Sequence, residues 1–222
     1  MKLLKKKIRN AEPSIQLDTS DISPPENVPQ YPEHLINSSE IVGFPTLEFQ
    51  EDIYRLSAQG VFDPSIKSVL DIGCGRGDFG SYLKRVVNQD IEYTGIDINP
   101  LHIDVGKSKF KDFTNFNLVS GNVLDYSNTA DICIINSILE NNYDNHVIDK
   151  YEYFKKILIK ALDISDVGVV IIALNDRYEN EPYITHNMAD IVTILTELEL
   201  KFSLENAFYP NVFKLMIQKQ NF

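Results

Sequence analysis

The chain has no tryptophan and only two cysteines, Cys74 and Cys133, in 222 residues. Two thiols so far apart build no disulfide framework and lack the paired spacing of a zinc cluster. No apolar run reaches the roughly 18 residues that a spanning helix needs. The start, Met1-Lys2-Leu3-Leu4-Lys5-Lys6-Lys7-Ile8-Arg9, is basic but has no apolar stretch of the secretory type. Positive charge is otherwise scarce. Against 32 Asp and Glu stand 21 Lys and Arg, a net charge of −11, and five of those cations sit in the first ten residues. So acidic a body repels a phosphate backbone, which argues against broad non-specific nucleic-acid binding. These absences predict a protein of a reducing cytoplasm with no membrane partner and no bound metal.

What is present is ordinary for a globular chain: 43% hydrophobic and 24% charged residues, in a length that suits one domain with an extension. Residues 1–33 read as a flexible arm, because Pro13, Pro24, Pro25, Pro29 and Pro32 exclude regular helix. Residues 34–64 read as a helical extension. The helix runs from Thr46 to Ala58, with Leu47, Ile53, Tyr54 and Leu56 on one side and Gly60 as its stop.

From residue 65 to 222, short apolar runs alternate with amphipathic stretches. Ser68 to Ile72 is a buried strand ending in glycines. Asp78 has the chemistry of a helix cap, and Phe79, Tyr82, Leu83, Val86 and Val87 follow at helical spacing. Ile91 to Asp97 is a second strand, and Asn99-Pro100 opens the next helix. Phe116 to Ser120 and Ile132 to Ile135 are strands three and four. Val147, Tyr151, Phe154, Leu158 and Ala161 share one helix face. Val167 to Leu174 is apolar enough for a central strand covered on both sides. Met188, Ile191, Val192, Leu195 and Leu198 mark the last helix. Lys201 to Phe208 and Val212 to Gln218 form an antiparallel pair. Such alternation specifies a doubly wound, Rossmann-like α/β sheet.

Asp71-Ile72-Gly73-Cys74-Gly75-Arg76-Gly77 lies between a strand and a helix, where such a sheet binds its nucleotide. Gly75, Gly77 and Gly80 also satisfy a dinucleotide fingerprint, so a nicotinamide-dependent oxidoreductase is the competing reading. Asp71 argues against it. A carboxylate beside a pyrophosphate is unfavourable, whereas a ligand carrying an ammonium and a sulfonium welcomes one. S-adenosylmethionine (SAM) is such a ligand. Asp97, closing the second strand, has the chemistry to accept from both ribose hydroxyls, with Ile98 next to it. Asn122 offers a carbonyl to the adenine amino group, and the Val123 backbone can pair with the ring edge.

Taken together, Asp71-x-Gly73-x-Gly75-x-Gly77, Asp97, Gly121-Asn122 and the fourth strand running into Asn136 resemble the class I SAM-dependent methyltransferases over residues 65–220. The resemblance implies a seven-stranded sheet in the order 3-2-1-4-5-7-6, with the seventh antiparallel. It also implies SAM as cofactor, with Asp71, Gly73, Cys74, Gly75, Gly77, Asp97, Ile98, Asn122, Val123 and Asn136 around it. Ser137-Ile138-Leu139-Glu140-Asn141 resembles the Leu-Glu-His stretch of members that act on small molecules. Here Asn141 replaces the histidine, and Asn122 replaces the usual Asp.

The sulfonium already activates the methyl group, so a protein mainly aligns the reactants and excludes water. A base is needed only for a protonated acceptor. Glu140, Asp144 and His146 are the candidates, each with a plain reading as a solvated or capping side chain. His34, His102 and His186 read as surface residues, Cys133 as core and Cys74 as a small loop residue. The Asn/Asp-Pro-Pro-Tyr signature of nucleic-acid amino methyltransferases is missing from Asn136-Ser137-Ile138-Leu139. A small-molecule acceptor is the expectation, with RNA or protein acceptors and a catalytically inactive interaction protein as alternatives.

Overall fold

The computed structural model describes residue 38 and residues 42–140, 149–176, 184–206, 209 and 211–219. The proposed arm, Asp144, His146, Val147 and His34 lie outside the described residues. Helix α1 (Leu47–Ala58) starts at Thr46, whose hydroxyl accepts the Phe49 N–H at 3.1 Å. Then come β1 (Ser68–Ile72), α2 (Asp78–Tyr82) running on into a π turn over Leu83–Val87, and β2 (Glu92–Asp97). Next are α3 (Pro100–Lys109), β3 (Phe116–Ser120), a 3-10 turn over Val123–Asp125, and β4 (Ala130–Asn136). The chain continues through α4 (Lys150–Ile164), β5 (Ser165–Leu174), α5 (Met188–Glu197), β6 (Phe202–Asn206) and β7 (Val212–Gln218).

All seven strands form one sheet in the order β3-β2-β1-β4-β5-β7-β6, with β7 antiparallel to both its neighbours. This is the order expected above. Side chains alternate across it. Leu70, Ile72, Cys133, Ile135 and Ile171 face α4 and α5, where Phe154, Leu158, Ile191 and Leu195 are buried. Val69, Tyr93, Ile134 and Ile172 face the other layer, with Ile53 and Tyr54 of α1, Phe79 of α2 and Ile103 of α3. The parallel core β1, β2 and β4 thus ends all its strands at one edge, which collects the loops that follow them.

Several local expectations need correction. Asp78 is not the cap of α2 but its first residue; Gly77 occupies the cap in left-handed backbone, φ 82°. The Asp78 carboxylate is drawn instead to Arg76 and Lys109, both at 2.7 Å. Val86 and Val87 are 60% and 37% exposed, because the π turn (Asn88 N–H to Leu83 O, 3.0 Å) widens the helix and rotates them off the core. Leu47 sits in the first turn of α1 and faces solvent. In α5 it is Ile194, not Val192, that joins Ile191 and Leu195 inside. Asn99 caps α3 as expected, with Pro100 at the first helical position.

Candidate functional site

The glycine loop is stitched to the end of the neighbouring strand. Gly73 and Cys74 donate their N–H groups to Ile96 O at 2.8 and 3.1 Å, and Gly75 donates to Asp97 Oδ2 at 2.8 Å. Gly73 and Gly75 hold positive φ, 74° and 55°. At Gly73 a Cβ would run into the Ile138 side chain, and at Gly75 it would stand 2.9 Å from Val42 Cγ1. Both positions therefore combine left-handed backbone with a close approach, and only glycine satisfies both. Cys74 turns inward and is buried against Gly95.

Two carboxylates flank this loop. Asp71 is buried in β1 and accepts the Tyr93 hydroxyl at 2.6 Å through Oδ2. Burial pushes its pKa up to about 7, with the Tyr93 bond pulling down and the Asp97 charge adding to the rise. Asp97 ends β2, 12% exposed, its Oδ2 held by Gly75 and its Oδ1 by the Asn99 N–H at 2.8 Å. Its pKa is also raised, chiefly by burial, against the pull of two backbone N–H groups and of His102. His102 is no surface residue. It projects from α3 to within 3.9 Å of Asp97 Oδ1, and burial lowers its pKa.

Past β3, Asn122 Oδ1 accepts the Leu124 N–H at 3.0 Å and so caps the 3-10 turn. That use competes with the adenine contact expected of it, although an amide oxygen has a second lone pair. Val123 is buried beneath, and Ile98 is half-buried after Asp97.

Asn136 ends β4 beside the loop. It is buried, its Oδ1 lies 2.8 Å from Ser57 Oγ of α1, and its Nδ2 has no partner among the described residues. The Ser57 hydroxyl also reaches Ile53 O at 2.7 Å, yet it has one proton. Turning the amide over lets Nδ2 donate to Ser57 Oγ while Ser57 donates to Ile53, which leaves the amide oxygen as the acceptor still to be used. The next residue, Ser137, is in left-handed backbone at φ 58°, a strained turn that brings Ile138 over Gly73.

Residues 64–222 match the family described as Methyltransferase domain. The chain belongs to that family. Its sheet order is that of the class I SAM-dependent methyltransferases. Similar solved structures include the N-methyltransferase NodS from Bradyrhizobium japonicum in complex with S-adenosyl-L-homocysteine (17% identity, 87% of this chain and 94% of that one, TM-score 0.60). Another is the magnesium protoporphyrin IX methyltransferase ChlM from Synechocystis with bound SAM (18% identity, 84% and 94%, TM-score 0.59). A third is an O-methyltransferase family protein from Burkholderia thailandensis (17% identity, 77% and 55%, TM-score 0.59), of which this chain spans about half. No curated protein matches in sequence.

At the end of β4, the plain reading of Glu140 as a solvated or capping side chain fails. The side chain is 4% exposed; Oε1 accepts the Leu174 N–H at 2.7 Å, and Oε2 has no hydrogen-bond partner among the described residues. Burial pushes its pKa up to about 7. His186 is fully buried as well, with Nε2 3.3 Å from Leu139 O and the ring near Tyr151 and Phe154; burial lowers its pKa to about 4. Backbone bonds from Ile184 N–H to Glu140 O and from His186 N–H to Leu174 O lay residues 184–186 between the ends of β4 and β5. Asn175 is buried in the same place. Tyr153 of α4, which sequence reasoning missed, is raised to about 12 by burial and by the charges of Glu140 and Asp97.

Proposed function

We propose that the chain transfers the methyl group of SAM to a small-molecule acceptor that meets the cofactor at the C-terminal edge of β1 and β4. The observation that carries this reading is the pair of carboxylates, buried Asp71 and partly buried Asp97, on either side of a glycine loop. The cations Arg76 and Lys109 are committed to Asp78. A pyrophosphate would face two carboxylates here, so a dinucleotide is disfavoured, whereas a ligand with an ammonium and a ribose is matched.

In this reading Asp71 faces the ammonium side of the cofactor and Asp97 takes the ribose hydroxyls. Gly73, Cys74, Gly75 and Gly77 cradle the amino-acid part, Asn136 turns its amide oxygen toward the ammonium, and Ile98, Asn122 and Val123 border the adenine. The cofactor, once bound, supplies a methyl group already activated by its sulfonium. The protein aligns the acceptor and excludes water, with Ile138 and Val42 lying over the loop. Glu140 is the candidate base for an acceptor hydroxyl or ammonium: it is buried, has one oxygen without a partner among the described residues, and is poised near neutrality. Asp144 and His146 stay candidates on sequence alone.

Calorimetry with SAM and with NADH tests the cofactor reading, and binding of NADH alone would overturn it. Tritiated methyl transfer into a cell extract tests the acceptor. Counts in the small-molecule fraction support the proposal; counts in precipitated RNA or protein redirect it. Cofactor binding with no transfer in any fraction would leave a binding fold without turnover.

A further inference from the structure

Tyr93 lies inside the sheet layer, 1% exposed, and its ring packs so closely on Gly80 that a Cβ there would enter it. A phenol costs free energy to bury unless its hydroxyl is satisfied. Its hydroxyl is spent on one partner, Asp71 Oδ2, at 2.6 Å, a length typical of a charge-assisted bond. Strand register explains the meeting. Tyr93 pairs with Val69 and Thr94 with Leu70, so the Tyr93 side chain stands on the same face as Asp71 and its ring reaches two residues along. Dedicating a buried phenol to a buried carboxylate is unnecessary for packing, because phenylalanine fills the same volume.

We propose that Tyr93 positions Asp71 for the cofactor, its hydroxyl holding the carboxylate in the ionised form that the ligand's ammonium requires, so that cofactor binding is coupled to loss of a proton from Asp71. The proposal rests on the reading that Asp71 faces the ammonium of SAM. The other groups around Asp71 do not supply this stabilisation. Asp97 from the end of β2 repels the charge, and the Cys74 thiol of the loop and the Tyr54 phenol of α1 sense it without bonding to it. Burial and Asp97 hold Asp71 partly protonated near neutral pH; the Tyr93 bond opposes them. A bound ammonium adds to the Tyr93 side of that balance, so the proton leaves as the ligand arrives.

Isothermal titration of the full chain with S-adenosylhomocysteine between pH 5.5 and 8.5, in buffers of different ionisation enthalpy, tests this. The expected result is proton release on binding and an affinity rising by up to about tenfold per pH unit below pH 7. 5′-Methylthioadenosine, which lacks the ammonium, should bind without that slope. Tyr93→Phe should weaken S-adenosylhomocysteine roughly tenfold at pH 7, shift the profile to higher pH, and recover affinity by pH 8.5. In an Asp71→Asn background the same change should have little effect. A Tyr93→Phe loss that is uniform across pH, or equal for methylthioadenosine, overturns the proposal and leaves Asp71 as a ligand contact. Undiminished binding by Asp71→Asn overturns the proposal together with the reading of Asp71. Absence of any binding by the wild type overturns both and the cofactor assignment with them.

Discussion

The ammonium of Lys214, in the middle of β7, donates to Leu56 O at 2.8 Å and to Gln59 O at the end of α1. A buried cation from the last strand thereby closes the C-terminal end of the first described helix, where the helix dipole and unpaired carbonyls favour positive charge. Burial lowers the Lys214 pKa, against the pull of the Glu205 charge, which pairs with it in register from β6. Lys214→Met should keep the packing volume and lose the cap. We expect about 1–3 kcal/mol of lost stability by urea denaturation. An unchanged midpoint would show that α1 does not depend on this contact.

Glu140 gives a pH-dependent prediction. Its folded pKa is raised to about 7 by burial, above the 4.5 of a free carboxyl. The neutral form is therefore favoured by folding; its contribution is complete below about pH 4.5 and is lost as pH rises through 7. Glu140→Gln keeps an oxygen for the Leu174 N–H and cannot ionise. Denaturation of the variant should match wild type near pH 4, and the variant should be the more stable by on the order of 3 kcal/mol at pH 8. Equal stability of the two at pH 8 would contradict a carboxyl held neutral by burial.

Asp97 has two tasks, since it already holds the Gly75 and Asn99 N–H groups. Asp97→Ala should cost roughly 2–3 kcal/mol of S-adenosylhomocysteine affinity, partly through the loop. A cycle with the 2′-deoxy ligand separates the parts. Wild type should bind that ligand weakly, and the variant should lose little more. Additive losses would mean that the side chain serves the loop alone.

Helix α1 carries buried Ile53, Tyr54 and Leu56 and reaches Asn136 through Ser57. Deleting residues 1–30 should leave cofactor affinity nearly unchanged, whereas deleting 1–60 should impair both folding and binding. Hydrogen exchange gives the finer test: protection at Leu47 to Leu56 on adding S-adenosylhomocysteine would mark α1 as a cover that responds to ligand. Protection confined to Gly73 to Gly77 would mark it as a static layer of the fold.

The sequence by itself determined the strand order's ingredients and the cofactor loop, because those signals are local. A buried parallel strand is a run of apolar residues, a tight turn needs Gly73, Gly75 and Gly77, and a strand end presents Asp97. Helix starts at Thr46 and Asn99 were equally legible, since a cap is made within three residues. Tertiary structure alone decided which polar side chains are taken out of water. Glu140 and His186 look like loop or surface residues in the chain, yet each is enclosed by elements distant in sequence: Leu174 over Glu140, Leu139 and Phe154 around His186. Burial depends on what packs from elsewhere, and burial sets the protonation of Asp71 and Glu140. The same holds for Tyr93, whose hydroxyl meets a carboxylate 22 residues away because β1 and β2 pair in register.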